Sequence, residues 1–228
     1  MRKLHDKLKT RKHCLPAYHM QTDLTPETNP VSMKNECSCV STWRNELRRQ
    51  AIARRMLLSE EAWELYSAVI CDLLRENFLE LSHKRVGFCW PIRNEPDLRP
   101  LFEIWENENH DSFSTLLPVI GEENSTLSFR AWTPNTPMTI DRYGIPSPTT
   151  GDFMQPQALL IPLVAFDSQG YRLGYGGGFF DRTLSSLQPR PLSIGVGFEL
   201  SRVDTIHPQP HDERLDAIVT EAGVFRFG

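Results

Sequence analysis

Residues 172–182 read Arg-Leu-Gly-Tyr-Gly-Gly-Gly-Phe-Phe-Asp-Arg, with four glycines in the five positions 174–178. Glycine has no Cβ and tolerates positive φ, so successive N–H groups in such a loop can converge on one anion. The helix-like run that follows would add its positive N-terminal end. Arg172 and Arg182 supply cations and Asp181 a carboxylate, a mixture that suits a nucleotide phosphate chain with its magnesium ion. The plainer alternative, a glycine-rich turn packing a strand against a helix, stays open on the glycines alone.

Spacing excludes two familiar phosphate loops. A P-loop needs Gly-Lys-Ser/Thr after four intervening residues, and no Lys follows these glycines; a dinucleotide fingerprint needs a third Gly where Phe179 stands. Further candidate groups lie far away in the chain: Glu95 in the loop Arg93-Asn94-Glu95-Pro96-Asp97, and the pair His211-Asp212. Magnesium prefers oxygen, so His211 reads as a neighbour of a site rather than a ligand. Cys37, Cys39, Cys14, His13 and His19 match no common zinc spacing.

The loop, together with Ile161-Pro162-Leu163-Val164-Ala165-Phe166-Asp167 upstream and His211-Asp212-Glu213-Arg214-Leu215-Asp216 downstream, closely resembles the 5-formyltetrahydrofolate cyclo-ligases, also called methenyltetrahydrofolate synthetases. The resemblance runs from about Trp43 to about Glu221, and its specific core is a proline-containing strand ending in Ala-Phe-Asp followed by the glycine loop.

The resemblance implies an enzyme that uses ATP to convert 5-formyltetrahydrofolate to 5,10-methenyltetrahydrofolate, with Mg2+ as cofactor and ADP and phosphate as further products. It carries the ATP phosphates to Gly174, Tyr175, Gly176, Gly177, Gly178, Phe179 and Phe180, with Arg172, Asp181 and Arg182 beside them. It carries the metal to Asp181 and Asp212. The family's basic pair in a Lys-x-x-Leu-Arg helix start corresponds to Arg44, Leu47 and Arg48, whereas Arg49, Arg54 and Arg55 stay unassigned as members of a solvated arginine face. Glu95 is carried over as the acceptor for the donor-rich pterin edge, Trp90 and Phe180 as rings packing near the folate. For Trp90, ordinary core filling remains open as an alternative.

Several positions depart from the family pattern. Phe179-Phe180 replaces a frequent tyrosine pair, Gly144-Ile145-Pro146-Ser147-Pro148 lacks the usual glutamate, Ser201 stands where Gln is frequent, and His207 replaces a common Pro. These bear on the folate pocket rather than on the ATP loop.

Elements able to position such groups follow from periodicity. An Arg-rich helix begins at Trp43, with Leu47, Ala51 and Leu58 as its apolar face. Ser59 then caps a second helix on which Ala62, Leu65, Tyr66, Val69, Ile70, Leu73, Leu74, Phe78 and Leu81 form one stripe. Strands are predicted at 85–90, 115–120, 127–132, 158–166, 194–198 and 217–220, a helix through Leu98, Leu101, Phe102 and Trp105, and an irregular loop between two proline-bearing stretches at 133–148. Continuous apolar strands alternating with helices indicate a three-layer α/β/α sandwich with a mainly parallel, Rossmann-like sheet. In such sheets ligands bind beyond the carboxyl ends of the strands, which is the reason to group Glu95, the glycine loop and Asp212.

The 228 residues carry a net charge of −4, but unevenly: residues 1 to 40 hold seven Lys/Arg and four Asp/Glu, leaving 18 against 25 in the rest. A body of that sign is not built for nucleic acid. No apolar stretch is long enough to cross a bilayer, and five irregularly spaced cysteines suit a reducing, cytoplasmic setting. Residues 1–40 are expected to be a disordered extension, a basic targeting arm or an early-start extension with Met33 as an internal start; 41–228 are expected to form one catalytic domain acting as a monomer. Two competing classes remain: a non-catalytic folate or nucleotide binder, and a sugar-phosphate or acyl-CoA enzyme on the same architecture.

Overall fold

The computed structural model describes the backbone of residues 30–109, 112–121 and 125–227, with side chains from residue 39. The fold is carried by one compact unit, Cys37–Gly228. Helix α1 spans Pro30–Arg55, so it begins upstream of Trp43, where the periodicity starts it. Of the extension expected over residues 1–40, the first 29 lie outside the described residues, as does most of the zinc candidate; Cys39, Cys71 and Cys89 are free thiols.

After α1 come α2 (Glu60–Asn77), β1 (Arg85–Gly87), α3 (Arg99–Asn109), β2 (Ser114–Val119) and β3 (Ser128–Trp132). The hairpin β4 (Met138–Ile140) and β5 (Pro146–Pro148) precedes β6 (Ala158–Pro162), β7 (Ala165–Phe166) and β8 (Arg172–Leu173). Helix α4 (Phe179–Ser186), β9 (Leu192–Val196), β10 (Ala217–Thr220) and β11 (Gly223–Arg226) complete the body. The main sheet runs β11-β10-β9-β6-β1-β2-β3. Its five central strands pair in parallel, and only the edge strands β3 and β11 are antiparallel.

Strand β6 shows why its sequence is apolar without alternation. Ala158 and Leu160 belong to a core shared with Ile70 and Leu74 of α2 and Phe102 of α3, while Leu159 and Ile161 belong to a second core with Leu184 of α4. Successive side chains point to opposite faces of a strand, so a sheet covered on both faces needs apolar residues at every position. Each fully buried Leu or Ile contributes about 1.5–3 kcal/mol relative to exposure.

Four local expectations need correction. The α2 stripe ends at Asn77, with Phe78 as C-cap and Leu81 in a following 3-10 turn, and Leu65 is exposed. At 3.6 residues per turn Leu65 lies roughly 140° round the helix from Ile70, off the buried face. The run 158–166 is two strands: β6 ends at Pro162, and β7 turns away to pair antiparallel with β8. The 133–148 segment is no irregular loop, because Met138 pairs with Pro148 and Asp141 Oδ1 accepts from the Tyr143 and Ile145 N–H groups to close the turn. Strand β1 stops at Gly87, short of Trp90.

Candidate functional site

Beyond the carboxyl ends of β1 and β6 lies a cleft of roughly 660 Å³, within the range of small-molecule sites. Glu95, the glycine loop, Asp181 and Asp212 all line it, so the grouping expected from sheet topology is met in space.

The β7–β8 ribbon delivers the glycine loop to the start of α4. Gly176 has φ 103° and Gly178, the N-cap of α4, φ 63°, conformations that L side chains rarely adopt. Gly177, the central glycine, is not in this region; a Cβ there would meet the Phe179 ring at 2.8 Å. Arg48 Nε donates to the Gly174 carbonyl at 2.8 Å and Arg182 Nη2 to that of Gly177 at 2.8 Å. Two loop carbonyls are thereby tied to cations, which keeps those acceptors from opposing an anion.

Each acid carried over for the metal is joined to an arginine. Arg44 donates to both oxygens of Asp212, at 2.8 and 2.9 Å, and the Gln209 N–H adds a third bond at 2.6 Å. Burial opposes ionisation of Asp212, but these bonds and the charges of Arg44 and His211 outweigh it and hold the carboxyl below its ordinary value. Arg172, buried at the start of β8, donates to Asp181 Oδ1 at 3.0 Å and to the Glu213 carbonyl at 2.9 Å, and the Glu213 N–H joins the same Oδ1.

Glu95 is 3 % exposed. Its Oε2 accepts from the Ile92 N–H at 3.1 Å and its Oε1 from the Tyr175 hydroxyl at 2.6 Å, with Arg55 Nη2 3.6 Å away. Trp90 borders the cleft but also packs edge-on against Trp132, with the Arg99 guanidinium 4.8 Å over its ring, so it partly fills the core as well. Phe179 and Phe180 line the cleft while packing on the α4 core. Leu47 packs on Ala165, Leu173 and Ile206, fastening α1 to the β7–β8 ribbon; it does not line the cleft, and neither does Arg182.

The solvated reading of Arg55 is wrong. At 2 % exposure it is among the most buried side chains of the protein. A signal was available: Arg44, Arg48, Ala51 and Arg55 follow the spacing i, i+4, i+7, i+11 and so share one helix stripe, and Ala51 is buried. Arg93, Asp141 and Tyr143 also line the cleft without having been singled out.

The model of the 5-formyltetrahydrofolate cyclo-ligase family matches residues 40–221. The chain belongs to that family. It is 36 % identical over 141 residues to the 5-formyltetrahydrofolate cyclo-ligase of Haemophilus influenzae, covering 58 % of this chain and 73 % of the relative. To that of Escherichia coli K12 it is 28 % identical over 182 residues, covering 76 % and 97 %. The NMR structure of Aquifex aeolicus 5,10-methenyltetrahydrofolate synthetase superposes with a TM-score of 0.69 at 29 % identity, covering 81 % of this chain and 92 % of that one. The Mycoplasma pneumoniae synthetase shares the fold with a TM-score of 0.63 at 24 % identity.

Within this cyclo-ligase the donor set bears on a metal. Among the described residues no group of three or more His, Cys, Asp or Glu is placed to cage an ion. Asp181 takes both its hydrogen bonds on Oδ1, and Asp212 is engaged on both oxygens. Two carboxylates lining the same cleft as the glycine loop would suit Mg2+, which completes its octahedron with water and substrate oxygens, and not an ion that needs an all-protein cage. No helix among the described residues is long and apolar enough to cross a membrane.

Proposed function

We propose that this cyclo-ligase converts 5-formyltetrahydrofolate to 5,10-methenyltetrahydrofolate with consumption of ATP. The amide-like formyl oxygen is a poor leaving group. In the proposed sequence it attacks the γ-phosphorus of ATP, and the bond to ADP breaks. N10 then adds to the formyl carbon and loses its proton, and inorganic phosphate departs with the C–O electron pair, leaving the methenyl bridge between N5 and N10. Such transfer depends on alignment and charge stabilisation rather than on a protein nucleophile.

The observation that carries this reading is the sharing of one cleft by a positive-φ glycine loop with its arginines and a buried carboxylate acceptor. The loop N–H groups, with Arg44, Arg48 and Arg172, are suited to hold the phosphates. Glu95 is suited to accept from the pterin edge and so turn the formyl group toward them. Asp181 and Asp212 would hold Mg2+, whose charge offsets that developing on the phosphates. Only atoms of one chain are required, and the reading keeps the protein a cytoplasmic monomer without a nucleic-acid partner.

Purified protein mixed with 5-formyltetrahydrofolate, ATP and Mg2+ should generate the near-ultraviolet absorbance of the methenyl product. Omission of ATP or of the metal should abolish it. Product formed at an undiminished rate without ATP would overturn the phosphorylation route.

A further inference from the structure

Every nitrogen of the buried Arg55 guanidinium is engaged by a loop of the cleft. Nε donates to the Arg93 carbonyl at 2.8 Å, Nη1 to the Leu163 carbonyl at 3.1 Å and Nη2 to the Tyr175 hydroxyl at 2.6 Å. One side chain of α1 thus joins the loop after β1, the break between β6 and β7, and the glycine loop. The loop after β1 requires such a clamp, because Arg93 and Asn94 have φ 50° and 55°. Consecutive non-glycine residues in this region are unfavourable unless their surroundings impose them. The Trp63 indole donates to the Glu95 carbonyl at 2.8 Å, and the Arg93 guanidinium lies 5.4 Å over the Tyr175 ring.

The direction of the hydrogen bonds is determined by chemistry. Arginine has no acceptor, so the Tyr175 hydroxyl accepts from Arg55 and its single proton goes to Glu95 Oε1. Oε2 accepts from the Ile92 N–H. Acceptance on both oxygens favours the ionised carboxylate over the neutral acid. The network therefore selects the charged acceptor form in a place where burial favours the neutral one.

We propose that Arg55 and Tyr175 are positioning residues for Glu95: Arg55 orients the Tyr175 hydroxyl, and that hydroxyl holds Glu95 as a fixed acceptor for the folate ring while tying it to the phosphate loop. This rests on the reading of Glu95 as the folate acceptor. Tyr175 then has two parts with different duties: its backbone belongs to the glycine loop and its hydroxyl to the folate side.

The groups facing Glu95 are Arg55 from α1, Tyr175 from the glycine loop, Arg93 from its own loop and Cys89 from the stretch just after β1, whose thiol burial pushes up and keeps neutral. Burial raises the Glu95 carboxyl above its usual range, against the opposing pull of the Arg55 charge, the Tyr175 and Ile92 bonds and the Arg93 charge. Loss of the Tyr175 hydroxyl raises it further. Folate use should then fail at a higher pH on the acid side.

Tyr175→Phe keeps the ring and removes the hydroxyl. Its expected effect is a roughly tenfold rise in KM for 5-formyltetrahydrofolate, little change in kcat, and an ATP KM within about twofold of the parent. The acid limb of kcat/KM for folate should move to higher pH, because the hydrogen bond lost is one that favours the ionised carboxylate. Arg55→Lys, which keeps the charge but loses the fork, gives an independent reading of the same two quantities. Glu95→Gln serves as reference: it should raise the folate KM more than the ATP KM, and adding Tyr175→Phe to it should change little further. An unmoved acid limb and folate KM in both Tyr175→Phe and Arg55→Lys, with Glu95→Gln still defective toward folate, would overturn the positioning role alone. Equal effects of Glu95→Gln on both substrates would remove Glu95 from the folate site, and this inference with it.

Discussion

Arg44 and Asp212, 168 residues apart in sequence, form a two-bond pair at 2.8 and 2.9 Å that joins α1 to the segment before β10, with side chains 10 % and 5 % exposed. The planar guanidinium matches the carboxylate on both oxygens, a geometry lysine cannot reproduce. Arg44→Lys should lower stability by about 1–2 kcal/mol in urea denaturation, since one charge-assisted bond is lost while the charge remains. An unchanged urea midpoint would show the pair to be energetically silent.

The demands on the glycine loop fall on Gly176 more than on Gly177. Gly176 has φ 103° and lies 3.5 Å, measured from where a Cβ would stand, from Arg48 Cζ. Gly176→Ala should cost about 1 kcal/mol or more in stability, because alanine is strained at this φ. On the phosphate-loop reading it should also raise the ATP requirement at least roughly tenfold, about 1.4 kcal/mol of binding. Circular dichroism with nucleotide titration separates the two effects. A folded variant with parental ATP affinity would make the loop a packing turn.

Asp181 is paired with the buried Arg172 and is also a proposed magnesium ligand. Asp181→Asn should raise the magnesium concentration for half-maximal activity at fixed ATP, and leave the folate KM nearly unaltered. If the magnesium dependence stays where it was while the melting temperature falls, Asp181 serves to hold Arg172 and nothing more.

Thr183 anchors α4 from within the core: its hydroxyl accepts from the Leu127 N–H at 2.9 Å and donates to the Phe179 carbonyl at 2.7 Å. Thr183→Val preserves the shape but strands a buried N–H, which costs about 1–3 kcal/mol. The urea midpoint should fall accordingly, with the slope unchanged.

Features visible in sequence were those in which the relevant neighbours are also neighbours along the chain. The glycines of 174–178 and Asp181 lie within eight residues, Ser59 caps a helix three residues away through the Ala62 N–H, and the unbroken apolar run of β6 reports a strand covered on both faces. What remained hidden depends on partners distant in sequence. Leu65 and Ile70 are equally apolar, and only the packing of α2 on β10 and α3 leaves one exposed and the other buried. Arg54 and Arg55 are identical adjacent residues, yet a 100° step round α1 puts one in solvent and the other against Leu163, Arg93 and Tyr175. The sequence by itself determined the glycine loop, the layered α/β architecture and the family. The tertiary structure decided which arginines are buried, which glycines need positive φ, and that the Tyr175 hydroxyl faces Glu95, because these outcomes depend on desolvation and direction, which arise only when separate segments meet.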